Sequence, residues 1–180
     1  MVTVAVHPFQ HLGAVAYNSA DRIHLMAYDA PDQHSSMDLV ISSVNDIAVQ
    51  GLTAKEEGPN TKLLAKVALG IPAYGRNRND LSDVLTYADI MRDHRPGPEM
   101  DELPSGMYFN GMMTVQKKAR WAIRNGLNGV MVWELGQDTK DDKTSLLKAL
   151  RRVQDKVPTM AIDKWGSIGM DNFPYHGDDF

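Results

Sequence analysis

Tyrosines, carboxylates, a tryptophan and one arginine gather directly behind apolar runs of this chain. Tyr28 and Asp29 follow RIHLMA, Tyr74 and Arg76 follow LGIPA, and Trp133, Glu134, Gln137 and Asp138 stand at or just after GVMV. His7 and Pro8 follow VTVAV in the same way. Flat aromatic faces match the apolar faces of sugar rings, and carboxylates and guanidinium groups pair with hydroxyls and amides. The ligand class this implies is a carbohydrate or a similarly polyhydroxylated molecule. Glycoside hydrolysis commonly uses two carboxyl groups across the scissile bond, so Asp29 with Glu134 or Asp138 is a first pairing to weigh. Each residue also has a plainer reading. A tyrosine at a strand end can bury its ring and bond its hydroxyl to backbone, an aspartate there can close a turn, Trp133 can be core, and Arg76 a surface charge.

Ligand residues need a scaffold that collects them at one rim. The runs at 2–6, 22–28, 63–71 and 129–135 are nearly continuous in apolar character, as strands of a parallel sheet buried on both faces are. Between and after them lie stripes at three- and four-residue steps. These predict helices over 9–17 (Phe9, Leu12, Ala16, with Pro8 in the first turn), 37–50 (Val40, Val44, Ile47, Ala48, with Ser36 as N-cap) and 80–92 (Leu81, Val84, Leu85, Ala88, Met91). Two more fall over 114–125 (Val115, Ala119, Ala122, Ile123) and 142–154 (Leu146, Leu147, Leu150, Val153). Strands alternating with helices make an α/β fold with a parallel sheet. Four strands fit a small doubly wound sheet or part of an eight-stranded barrel, and both place ligands at the carboxyl ends of the strands. Loops are expected at 52–62 and at 93–106, which holds three prolines and two glycines. The main domain is expected to span 1–157. A tail at 158–180, with Trp165, Phe173 and Tyr175, has no clear period.

The bulk numbers narrow the function. The 180 residues are 43% hydrophobic and 23% charged, with net charge -4. This is ordinary globular composition and gives no reason to expect nucleic acid or an anionic membrane as partner. There is no cysteine, which removes disulfides, thiol catalysis and cysteine-based zinc sites. His7, His11, His24 and His34 lack the spacing of metal ligands. No phosphate-binding glycine loop or GxSxG elbow occurs. Neither a metal nor a cofactor is expected. The chain opens on an apparent buried strand, so it reads as beginning in the middle of a fold.

Three stretches in order resemble glycoside hydrolase family 18, the chitinases and their relatives. DRIHLMAYD (21–29) is similar to the family's sixth barrel strand, LGIPAYGR (69–76) to its seventh, and NGLNGVMVWELGQD (125–138) to its eighth. VTVAVHP (2–8) is similar to the fifth, and YFNG (108–111) with the helix carrying Lys117 and Lys118 is similar to the lead into the last strand. The resemblance implies a partial (β/α)8 TIM barrel holding strands five to eight. It implies that Tyr28 hydrogen-bonds the N-acetyl group of the sugar at the cleavage point, and that this group is the nucleophile. Asp29 would contact the same sugar, Met26 would floor the pocket, Trp133 would stack beneath the ring, and Tyr74 and Arg76 would line the cleft. The implied ligand is chitin or a chitooligosaccharide.

The departure is equally clear. The family's Asp-x-x-Asp-x-Asp-x-Glu signature, which carries the general acid on the fourth strand, does not occur in the 180 residues. Alternation along a strand would point Glu134 away from the face used by Trp133, which makes it a poor substitute. The family's insertion between the seventh and eighth strands is expected to be absent or much reduced. A half-barrel exposes two sheet edges, so self-association is expected. The expected parent is a secreted, retaining chitinase of which this chain alone is inactive. The alternatives are a chitin-binding lectin of the same fold and, further off, a small flavodoxin-like regulatory or nucleotide-binding protein.

Overall fold

The structure, a computed structural model, describes residues 1–51 and 60–156. Four strands, β1 (Thr3–Val6), β2 (Arg22–Leu25), β3 (Val67–Pro72) and, after an insertion, β7 (Gly129–Trp133), pair in the order β1-β2-β3-β7. All three pairings are parallel, with Val4 opposite Ile23, Ile23 opposite Val67, and Ala68 opposite Gly129. Helices α1 (Gly13–Ser19), α2 (Met37–Gln50) and the short α3 (Thr61–Leu64) lie between these strands. The α/β alternation read from the sequence is therefore present.

Burial grades across the sheet. Every residue of the inner strand β3 is buried, as a parallel strand covered on both faces must be. The outer strands are only partly covered, and Trp133 at the end of β7 is 55% exposed. Val6, Ile23, Leu25, Val67 and Leu69 form one core with Tyr17 of α1 and with Val40, Val44 and Ile47 of α2. A second core joins Ile71 to residues of the insertion, among them Tyr87, Ile90, Phe109 and Val115.

That insertion follows β3 at once. Strands β4 (Tyr74–Asn77), β5 (Val84–Thr86) and β6 (Met107–Tyr108) form a separate antiparallel sheet in the order β5-β4-β6. Helices α4 (Tyr87–His94) and α5 (Met112–Arg124) continue the chain, and α6 (Leu146–Gln154) follows β7. The segment between β3 and β7 therefore holds a small antiparallel sheet and two helices.

Several expected boundaries are corrected. The helix foreseen over 9–17 begins only at Gly13. Pro8 sits in a turn closed by Gln10 N–H to the His7 carbonyl at 2.9 Å, where its fixed φ suits the second turn position. Phe9 and Leu12 are exposed, and Tyr17 is the residue that α1 buries. The helix foreseen over 80–92 is split into β5 and α4, because pairing of Val84 with Arg76 and of Thr86 with Tyr74 overrides the helical spacing. Leu81 and Val84 are accordingly exposed. The run at 63–71 is divided by an Asn60 cap that accepts from Leu63 N–H at 3.0 Å, so its first residues are helical. Ser36 does cap α2, accepting from Leu39 N–H at 3.1 Å. The loop at 52–62 falls largely, and the tail at 158–180 wholly, outside the described residues.

The Thr86 hydroxyl accepts from Asp89 N–H at 3.0 Å as the N-cap of α4 and donates to the Asp89 carboxylate at 2.6 Å. Thr86→Ala should lower unfolding free energy in urea by about 1 kcal/mol. A helix running unbroken from residue 80 would instead be unaffected or strengthened by alanine.

Candidate active site

Regular pairing of β2 stops at Leu25, and the next residues turn sharply. Ala27 N–H bonds the Leu25 carbonyl at 3.0 Å and Tyr28 N–H bonds that of Met26 at 2.7 Å. Asp29 comes next with φ of +66°, a left-handed conformation that aspartate tolerates better than most residues. The turn delivers Tyr28 and Asp29 to the carboxyl end of the parallel sheet. Tyr74 and Arg76 reach the same place from β4, two residues apart and so on one face of that strand.

These side chains meet at one oxygen. The Tyr74 hydroxyl donates to Asp29 Oδ1 at 2.6 Å, and Arg76 Nη1 lies 3.2 Å from the same atom. The Arg76 Nε–H is committed to the Leu81 carbonyl at 2.7 Å, which fixes the fork. Among the described residues Asp29 Oδ2 receives no donor, and the Asp29 side chain is 37% exposed. It is therefore able to accept from a ligand hydroxyl or amide. The Tyr28 ring meets Tyr74 edge-on, centroids 6.1 Å apart. Its hydroxyl is buried without a protein partner among the described residues. Such a group costs about 1–3 kcal/mol unless something bonds it. Burial, then the nearby Asp29 charge, pushes the Tyr28 pKa up to about 12, and burial with the Asp29 hydrogen bond raises that of Tyr74 further. Both remain hydrogen-bond donors at neutral pH.

The remaining sequence-chosen residues take different places. Met26 lies in the turn with its N–H on the Val6 carbonyl at 2.9 Å. Trp133 lies opposite Pro72, its carbonyl accepting from Ala73 N–H at 2.8 Å, so β7 joins the site through backbone while the indole is exposed. The Trp133–Glu134 peptide is cis, and Glu134 is exposed beyond the strand. Asp138 is a helix cap. It accepts from Leu146 and Leu147 N–H at 3.0 and 3.1 Å and from the Ser145 hydroxyl at 2.7 Å. Both of its oxygens are used, which removes it from the acid–base pairing weighed above. His7 donates its backbone N–H to Gln10 Oε1 at 2.8 Å and its ring lies tilted against Phe9, centroids 5.1 Å apart. Among the described residues no group of three His, Cys, Asp or Glu side chains could hold a metal ion.

Sequence reasoning missed two supports. Gly70 of β3 lies against the turn: an added Cβ would stand 2.5 Å from the Leu25 carbonyl and 2.9 Å from the Tyr28 ring. His34 is fully buried, 5.1 Å from the Tyr74 ring and edge-on to Tyr108 at 5.8 Å, with Nδ1 4.0 Å from Asp29 Oδ1. Burial pulls its pKa down to about 4. The Asp29 charge opposes this, and the Lys118 and Arg76 charges reinforce it.

The chain matches the model of glycosyl hydrolases family 18 over residues 2–138. Among curated proteins it has no match. Among solved structures it is similar to the chitinase ChiB from the chitin utilization locus of Flavobacterium johnsoniae, at 28% identity and TM-score 0.70, covering 84% of this chain and 48% of that one. A chitinase from Bacteroides thetaiotaomicron matches at 24% identity and TM-score 0.71, covering 87% and 54%. A class V chitinase mutant from Cycas revoluta, solved with (GlcNAc)3, shares the fold at 17% identity and TM-score 0.63, covering 86% and 55%. The chain thus spans about half the length of these chitinases, and its four-stranded parallel sheet is part of their barrel.

This geometry makes two outcomes measurable. Gly70→Ala should displace the Tyr28 turn, seen as large amide shift changes at Met26–Asp29 with smaller ones in α2. For His34, the folded pKa lies below the unfolded one, so the unfolded chain binds more protons between pH 4 and 6.5. Stability should therefore fall as pH drops through that window, by up to about 3 kcal/mol, and urea midpoints for His34→Phe should lose this slope.

The family match, the chitinase fold and the clustered turn behind β2 together place this chain in glycoside hydrolase family 18.

Proposed function

We propose that this chain is the substrate-positioning half of a chitinase-like active site, binding β-1,4-linked N-acetylglucosamine oligomers. The observation that carries the reading is the buried, unpartnered Tyr28 hydroxyl beside the Tyr74–Asp29–Arg76 cluster. A donor held ready at that place suits the acetamido group of a sugar seated over the exposed Trp133 indole. The Cycas revoluta structure with (GlcNAc)3 and the Nicotiana tobaccum class V chitinase structure with NAG4 support the ligand class.

In this reading the acetamido carbonyl oxygen of the bound sugar attacks its own anomeric carbon as the glycosidic bond breaks. Tyr28 orients that group, Asp29 Oδ2 accepts from the same sugar, and Met26 floors the pocket. Tyr74 and Arg76 hold Asp29 in place while they line the cleft. Orientation of an internal nucleophile is worth several kcal/mol of barrier. Protonation of the leaving oxygen needs a general acid, and the family's acidic signature is not found in these 180 residues. The half-covered edges of β1 and β7 are where a further set of strands would close the barrel and bring that acid.

Titration of the purified chain with chitohexaose should show binding that Tyr28→Phe weakens roughly tenfold. Fluorogenic chitooligosaccharide should not be turned over. Clear hydrolysis abolished by Glu134→Gln would overturn the assignment of roles, and absence of any binding would overturn the ligand class.

A further inference from the structure

Helix α5 carries a lysine on its buried face. Lys118 sits one turn from Val115 and Ala122, and its side chain is fully buried. The Nζ donates to the Ser35 carbonyl at 2.7 Å, to the Ser35 hydroxyl at 2.6 Å and to Asn110 Oδ1 at 2.6 Å. The Ser35 hydroxyl in turn donates a hydrogen bond to the Ala27 carbonyl at 2.7 Å. All three Lys118 contacts use N–H donors, which the ammonium form supplies, although burial pulls its pKa down to about 7 against the opposing Asp101 charge. Asn110 adds a second donor to the Ser35 carbonyl at 3.0 Å.

No carboxylate is among the hydrogen-bond partners of this ammonium. For stability alone such an arrangement is a poor solution, because an apolar residue of similar volume often serves as well or better than a buried charge. What the ammonium does hold is a loop. Residues 27–35 close on themselves through the Ser35–Ala27 bond and through Ala30 N–H to the His34 carbonyl at 3.1 Å. Within that loop Asp29 and Asp32 both adopt positive φ, +66° and +64°. Two left-handed residues other than glycine in one short loop carry a backbone cost that the surrounding contacts must offset.

We propose that Lys118, acting through Ser35 and Asn110, is a positioning residue that sets the Tyr28–Asp29 turn for sugar binding. This rests on the ligand reading above. Lys118 touches no substrate. It fixes Ser35, Ser35 fixes the Ala27 carbonyl, and the next two residues are the ones that face the sugar. The segment between β3 and β7 thereby contributes more than a wall to the cleft: its α5 locks the turn behind β2 through Lys118.

The test uses the full chain with Lys118→Met and the milder Ser35→Ala, read by chitohexaose titration and by amide hydrogen exchange. Lys118→Met should weaken binding roughly tenfold and Ser35→Ala less, with protection in β3 unchanged and lost at the Tyr28 and Ala30 amides. The natural chain has no cysteine, so Lys118→Cys can be alkylated uniquely with 2-bromoethylamine, which restores the amine and should restore affinity. Equal binding by wild type and both variants would overturn the proposal, and so would a uniform loss of protection that aminoethylation does not reverse. If the wild type binds no chitohexaose, the ligand reading fails by itself. The positioning role is then upheld by selective loss of protection at Tyr28 and Ala30, and overturned by its retention. If Lys118→Met does not fold, Ser35→Ala decides on the same two readouts.

Discussion

The inner strands of a parallel sheet are paired on both edges and covered on both faces, and in this chain β2 and β3 alone among the four have a partner on each side. Everything else is arranged around that pair. The apolar faces of α1 and α2 close one core against them, and the insertion closes the other against Ile71. Because the strands run the same way, the residues leaving each of them arrive at one rim. The turn after β2 and strand β4 after β3 therefore meet without any long-range steering, and their meeting point is a single carboxylate oxygen.

That oxygen gives the site its stiffness. Asp29 Oδ1 takes both a tyrosine hydroxyl and a guanidinium, which anchors a residue in a backbone conformation that would otherwise be disfavoured. A second tie joins the same loop to Arg78, just past the end of β4, which lies 3.1 Å from Asp32 and 2.8 Å from Glu102. Tyr74 and Arg76 share one face of β4 and Arg78 follows the strand directly, so this short segment grips the loop at both Asp29 and Asp32. The antiparallel sheet is small, but it is the element that converts a flexible connection behind β2 into a shaped wall.

The sequence showed part of this. The nearly continuous apolar run of β3 is legible because both of its faces are covered, and α2 is legible because Ser36 and a four-residue stripe agree. Tyr28, Asp29, Tyr74 and Arg76 stand out as polar and aromatic residues directly behind apolar runs, and the structure brings all four together. The β4–β5–β6 sheet was hidden because Val84 and Leu85 also satisfy a helical spacing, and only pairing with β4 decides between the two. Asp138 looked like a rim carboxylate, since nothing local shows that its oxygens cap a helix eight residues on. Lys118 did leave a signal: a charged residue inside the stripe formed by Val115, Ala119 and Ala122 has to find acceptors in the interior.

The central claim is that the buried Tyr28 hydroxyl awaits an acetamido group. A crystal structure of the chain with a chitooligosaccharide tests it most directly. The account predicts the acetamido group of one sugar within about 3 Å of Tyr28 Oη, that ring over Trp133, and Asp29 Oδ2 on the same residue. A sugar bound elsewhere, with Tyr28 Oη bonded only to water or protein, would contradict it.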